Sequence, residues 1–191
     1  MKREEAEQIL AEAKCLNDGG WIQHSYNVAN LAEKIAGLCY MDTNKAYCYG
    51  LLHDIGRRNG KMQSRHIIDG YKFMQSMGYH EEARICLTHT FQYKNIDAIY
   101  DSWDCEKEDV DFVKCFLENI EYNDFDRLIQ LCDAVSLDSG YCYIEKKMVS
   151  SVIKFGFKDT TLQKWNAIFE LKKYFDEKAG INIYTLFDKE Q

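Results

Sequence analysis

The chain has 191 residues, enough for one domain with a substantial core, and its 46% hydrophobic and 29% charged content is typical of a water-soluble globular protein. A net charge of −7 argues against a long nucleic acid as partner, because its phosphates would be repelled. No apolar run approaches the roughly 18 residues needed to cross a bilayer, and Met1-Lys2-Arg3-Glu4-Glu5 is not followed by a signal-peptide core, so a cytoplasmic protein away from membranes is expected.

There is no proline at all, which favours long helices joined by Gly, Asn and Asp turns. A first helix is predicted over Glu4 to Lys14, ended by Asn17-Asp18-Gly19-Gly20. A second covers about Ile22 to Cys39, with Val28, Leu31, Ile35 and Leu38 on one face. Asp42 or Thr43 caps a third that runs to His53, and Gly56 is the residue type that closes a helix. Ser64 caps a fourth, to about Met77, and His80 to about Thr88 forms a fifth. Residues 94–109 are irregular, with an acidic surface loop at Asp101 to Glu108; a short helix follows from Val110 to Glu118. Asn123 or Asp124 caps a helix to about Ser136, and Glu145 to Phe155 and Thr161 to Lys178 close the chain. No alternating strand stands out. The expected fold is all-α: a single domain over 1–191, its core at about 21–137 and the last helices, about 145–179, packed on it.

Eight cysteines lack any Cys-x-x-Cys pair, and Cys39, Cys48, Cys86, Cys115 and Cys132 lie in apolar helical patterns, so reduced structural thiols are expected. The sharper anomaly is Leu51-Leu52-His53-Asp54-Ile55-Gly56, where an imidazole and a carboxylate follow an almost wholly apolar approach. Burying them is costly unless something pairs with them, and a divalent metal takes both a neutral nitrogen and a hard oxygen. His24, His89 after Ile85-Cys86-Leu87, and Asp133 within Leu128 to Cys132 repeat the oddity. His66 stands four residues before Gly70; His80, beside Glu81 and Glu82, reads as a surface residue. Arg57, Arg58, Lys61 and Arg65 form a basic segment with no acid between them, suited to a small phosphorylated molecule. Asp69 and Asp138 read as surface acids, and the tyrosines, including Tyr26, Tyr47, Tyr49, Tyr71, Tyr93, Tyr141 and Tyr143, mostly as core.

The ordered set His24, His53-Asp54 and Asp133 resembles the HD-domain superfamily of metal-dependent phosphohydrolases over about Trp21 to Leu137. His66 and His89 look like the additional ligands of its two-metal branches, which include enzymes acting on dinucleoside polyphosphates and cyclic dinucleotides. The resemblance implies a helical bundle holding two divalent transition-metal ions (Fe, Mn, Ni, Co or Zn). Asp54 would bridge them, with His24, His53 and Asp133 on one and His66 and His89 on the other. It implies hydrolysis of a phosphoester or phosphoanhydride of a small nucleotide, with Asp54 and Arg57 in the catalytic set and Arg57 and Arg58 contacting substrate. Arg57 stands where many two-metal relatives carry Lys. The alternative is a catalytically silent, metal-containing module that senses a nucleotide. No pattern in the sequence fixes an oligomeric state.

Overall fold

The computed structural model describes residues 1–187. Among these residues nine α-helices follow in order: α1 (Arg3–Leu16), α2 (Gly20–Leu38), α3 (Thr43–Leu52), α4 (Arg65–Ser76), α5 (His80–Thr88), α6 (Lys107–Asn119), α7 (Asp124–Ala134), α8 (Ile144–Phe155) and α9 (Thr161–Ala179). The fold is all-α as expected. Its sheet among the described residues is a hairpin of two-residue strands, β1 (Ser136–Leu137) and β2 (Gly140–Tyr141), paired antiparallel with Ser136 opposite Tyr141. No helix among the described residues is long and apolar enough to cross a membrane.

The helices α2 and α3 form the spine. Val28, Leu31, Ala32, Ile35 and Ala36 present one fully buried face of α2, and each Leu or Ile so removed from water contributes about 1.5–3 kcal/mol. That face packs with Ala46 and Tyr49 of α3, with Leu128, Ile129 and Leu131 of α7, and with Ile168 and Phe175 of α9. A second cluster joins Ile9 and Leu10 of α1 to Leu51 and Leu52 of α3 and Met74 of α4. A third lies between Ile67 and Ile68 of α4, Leu87 of α5, Phe91, and Val113 and Leu117 of α6. Gly50 lets the spine close tightly: a Cβ there would sit 2.7 Å from the Ala29 Cα.

Local chemistry explains the helix starts. The Asp42 carboxylate accepts from Lys45 N at 2.9 Å, and Asn123 heads a capping box with Asp126 at α7. Ser64 does precede α4, but its hydroxyl donates to Asp101 instead of capping; the cap comes from Asp104, which accepts from Gln63 N and Arg65 N at 2.7 Å each. The acidic segment lies at the surface as expected, and these bonds anchor it to the start of α4. The helix-closing role expected of Gly56 is also corrected. A 3-10 turn, Ile55–Asn59, continues directly from α3 and ends at Gly60 (φ 121°). Gly56 instead admits α4: a Cβ at that position would lie 2.0 Å from His66 O and 2.5 Å from Gly70 N.

Gly56→Ala therefore pushes α4 off the turn that carries Asp54. We expect a loss of about 1–3 kcal/mol in thermal unfolding, together with weaker metal retention because His66 moves with α4. A variant as stable as the parent would show that α4 yields at no cost.

Candidate metal centre

Five chain segments bring the six predicted ligands together. His24 lies in the second turn of α2, His53 is the C-cap of α3, and Asp54 follows it. His66 opens α4, His89 is the C-cap of α5, and Asp133 is near the end of α7. The imidazoles form a chain, with centroid separations of 5.2 Å for His24–His53, 5.0 Å for His53–His89 and 5.6 Å for His66–His89.

Three of the four rings are oriented the same way. Nδ1–H donates to the carbonyl three residues earlier: His53 to Gly50 O at 2.7 Å, His66 to Gln63 O, and His89 to Cys86 O at 3.0 Å. A carbonyl only accepts, so the hydrogen is fixed on Nδ1 and the Nε2 lone pair of the neutral ring is presented to the centre. For His53 and His89 the acceptor belongs to the last turn of a helix, where carbonyls lack an intrahelical donor. The same bond thus closes the helix and aims the ligand.

What faces those nitrogens is more acceptors. His66 Nε2 is 3.1 Å and His89 Nε2 3.5 Å from Asp54 Oδ1, and His24 Nε2 is 3.1 Å from Asp133 Oδ1. His53 Nε2 is buried and has no hydrogen-bond partner. Burial pushes the His53 pKa down to about 3, so it stays a neutral donor of its lone pair. Burial alone would raise Asp54, but the Arg57 guanidinium leads the neighbours that hold it well below the carboxylate range; for Asp133 the opposing charge is led by Lys147. Neutral imidazoles and ionised carboxylates are the protonation states a metal requires. Two donor groups have all their atoms within 4.8 Å of one another: His24, His53 and Asp133, and His53, Asp54 and His89. A cation among them would satisfy the orphaned Nε2 and separate the facing acceptors, and mixed His and Asp donors suit a divalent transition metal. The residues fit the ion.

Arg57 does not point into bulk solvent. Its Nε donates to Asp54 Oδ2 at 2.6 Å, and Nη2 approaches His66 Nε2 at 3.4 Å. Arg58 takes another direction: its guanidinium carbon lies 4.0 Å from the centroid of the Phe73 ring, and the residue is not among those lining the cavity beside the centre. Lys61, Arg65 and His80 are exposed. Asp69 accepts from Asn59 Nδ2, and the exposed Asp138 lies at the cavity rim.

That cavity, of about 440 Å³, opens onto His24, Asp54, Arg57, His66, His89 and Asp133. Residues unremarked in the sequence complete it. Lys147 of α8 donates to the Asp133 and Ser136 carbonyls and lies 3.3 Å from Asp133 Oδ1. Lys164 of α9 and Tyr100 also line it, while none of the seven tyrosines singled out above does. A signal for Lys164 was available: Thr161, Lys164, Ile168 and Phe175 are the buried residues of α9, at helical spacing, so this lysine occupies a core-facing position.

Behind the centre, Asp126 is fully buried and ties α5 to α7. It accepts from Arg84 Nε at 3.1 Å, Thr88 Oγ1 at 2.8 Å and Asn123 N at 2.8 Å. Thr88 immediately precedes His89. Asp126→Ala strands those donors, and we expect a loss of about 3–5 kcal/mol in denaturant unfolding, with lowered metal content, although Asp126 touches no ligand. An effect below about 1 kcal/mol would show that α5 and α7 are aligned by apolar packing alone.

Among known proteins, the model of one family, described as HD domain, matches residues 21–138. No curated protein and no solved structure matches the chain.

Proposed function

Because the chain belongs to the HD-domain family of metal-dependent phosphohydrolases, we propose that it hydrolyses a phosphoester or phosphoanhydride of a small nucleotide in the cavity beside Asp54. The observation that carries this reading is the partnerless, buried Nε2 of His53, shared by two donor groups on the wall of a cavity that also presents Arg57. His24, His53, Asp54 and Asp133 would hold one divalent ion, and Asp54, His66 and His89 a second. An ion in such a donor set lowers the pKa of a water beside it towards neutrality and offsets charge on phosphoryl oxygens.

The chain's own side chains account for the remaining work. Arg57 keeps guanidinium N–H groups beyond the one given to Asp54, and these would grip a phosphoryl oxygen. Lys147 holds the Asp133 carboxylate in place through its backbone as well as its side chain. Tyr100, Met148, Phe155 and Ile168 give the cavity an apolar wall that limits water around the substrate. A volume of about 440 Å³ is at the small end of the range of roughly 300–1,000 Å³ for ligand pockets. That is room for a nucleotide-sized ligand. The chemistry expected is that of an enzyme; a silent sensor built on the same fold would bind nucleotide and release no product.

One observation favours a second reading of the metal count. Arg57 bridges Asp54 Oδ2 and His66 Nε2, the place a second ion would occupy, so a guanidinium could stand in for that ion. Metal analysis of protein purified without chelator separates the two. In the two-ion reading His66→Ala loses one ion and Asp54→Ala loses both; in the one-ion reading His66→Ala leaves the content unchanged. Absence of metal, with no product from a panel of phosphorylated substrates supplied with Mn²⁺, Fe²⁺, Ni²⁺ or Co²⁺, would overturn the hydrolase altogether.

Arg57→Ala tests the substrate contact. We expect KM for a nucleotide substrate to rise about tenfold or more, with the His24, His53 and Asp133 ion retained. An unchanged KM would confine Arg57 to charge balance with Asp54.

A further inference from the structure

Three cations line the cavity, and two of them already have carboxylate partners. Arg57 is 2.6 Å from Asp54 and Lys147 is 3.3 Å from Asp133. Lys164 is different. It is 3% exposed, and among the described residues no carboxylate lies within ion-pair distance of its Nζ. That atom donates to two backbone carbonyls, Thr90 O and Ala98 O, both at 2.9 Å, and lies 4.6 Å from the centroid of the Tyr100 ring. An ammonium carries three N–H donors, so one is left over beside the cavity.

We propose that Lys164 forms a second anion site in this cavity, so that the substrate carries a further negative group, a phosphate or a carboxylate, apart from the phosphoryl group facing His24, Asp54 and Asp133. The proposal rests on the reading that this cavity takes a phosphorylated small molecule. Lys164 is a buried charge with no carboxylate in direct contact; Asp133 and Asp101 act on it only from longer range, and with two carbonyl dipoles and a ring face they offset only part of the cost of burial. Burial lowers the Lys164 pKa to about 8, which still leaves the ammonium form in the majority at neutral pH. A strut holding residues 90–98 to α9 would need only the two carbonyl bonds; the third donor has no use in that role. An anion on a bound ligand would take that donor and bring a counter-charge into direct contact. Lys164 and Lys147, with the apolar residues Met148 and Phe155, come from α8 and α9, beyond the 21–138 segment that matches the family.

Calorimetric titration of the protein, purified without chelator, with three turnover-resistant probes tests the site. Propylphosphonate has one anionic end, propane-1,3-diylbisphosphonate has two, and 4-phosphonobutyrate carries a carboxylate at its second end. At least one two-ended probe should bind about tenfold or more tighter than propylphosphonate, and which one does so tells phosphate from carboxylate. Lys164→Met should erase that preference while propylphosphonate still binds, and Lys164→Arg should keep part of it. Equal affinity of all three probes for the wild-type chain, a comparison that needs no variant to fold, overturns the second anion site and leaves the phosphoryl site standing. So does a preference that survives in Lys164→Met. No binding of propylphosphonate at all overturns the underlying reading, and this site with it.

Discussion

An ionised carboxylate in an apolar interior is among the most expensive things a fold can contain, and two face this cavity, the buried Asp54 and the partly buried Asp133, each held well below the ordinary carboxylate range. Each has a cation built beside it. Arg57 reaches Asp54 from the 3-10 turn that continues α3, and Lys147 reaches Asp133 across from α8. Neither cation is sufficient. Asp54 Oδ1 still faces the Nε2 lone pairs of His66 and His89, contacts that positive charge between them would relieve, and Asp133 Oδ1 lies within hydrogen-bond reach of His24 Nε2. The need to neutralise these two carboxylates explains why the helix ends converge here and why the cavity is lined with cations.

Convergence on that scale needs precise backbone placement, and the structure achieves it with ordinary local devices. The C-cap histidines of α3 and α5 each donate Nδ1–H to a carbonyl of their own last turn, so the orientation of the ligand is set by helix termination itself. Gly56 lets the backbone of α4 come into contact with the turn after Asp54, which brings His66 within 3.1 Å of the Asp54 carboxylate. Asp126 locks α5 to α7 one residue before His89. Each device acts on the backbone beside a ligand, leaving Nε2 and carboxylate oxygens free for the ion.

Much of this was legible in the sequence because helices carry it. The amphipathic spacing of α2 and the apolar approach to His53 located the segments, α5 was bounded at His80 and Thr88 to the residue, and polar residues beside apolar runs marked His53, Asp54, His89 and Asp133, while His24 and His66 came from the order of the set and the family resemblance. What stayed hidden depends on distance through space. Lys147 finds its partners mostly in backbone carbonyls, which leave no trace in residue identity, and so does Lys164, of which the sequence offered only its core-facing place in α9. Asp104 caps a helix some forty residues earlier, so it read as loop. Gly56 looked like a helix terminator because a close approach by another helix and a left-handed C-cap call for the same residue. Arg58 shares the basic run with Arg57 but, one residue further along the turn, lies on Phe73.

The chain divides its cavity along its length. Every residue suited to hold an ion, together with Arg57, lies within 21–138, where substitutions are constrained by several helix ends at once. The opposite wall comes from α8 and α9, whose inner faces need only pack on α7 and α2 through residues such as Met148, Ile168 and Phe175. No predicted ligand hangs from α8 or α9, yet a lysine of each reaches the backbone of the centre: Lys147 donates to Asp133 O, and Lys164 to the carbonyl of Thr90, the residue after His89. Lys164 is thus a buried charge that the fold holds by carbonyls beside the centre without a direct ion pair, on the wall of the cavity.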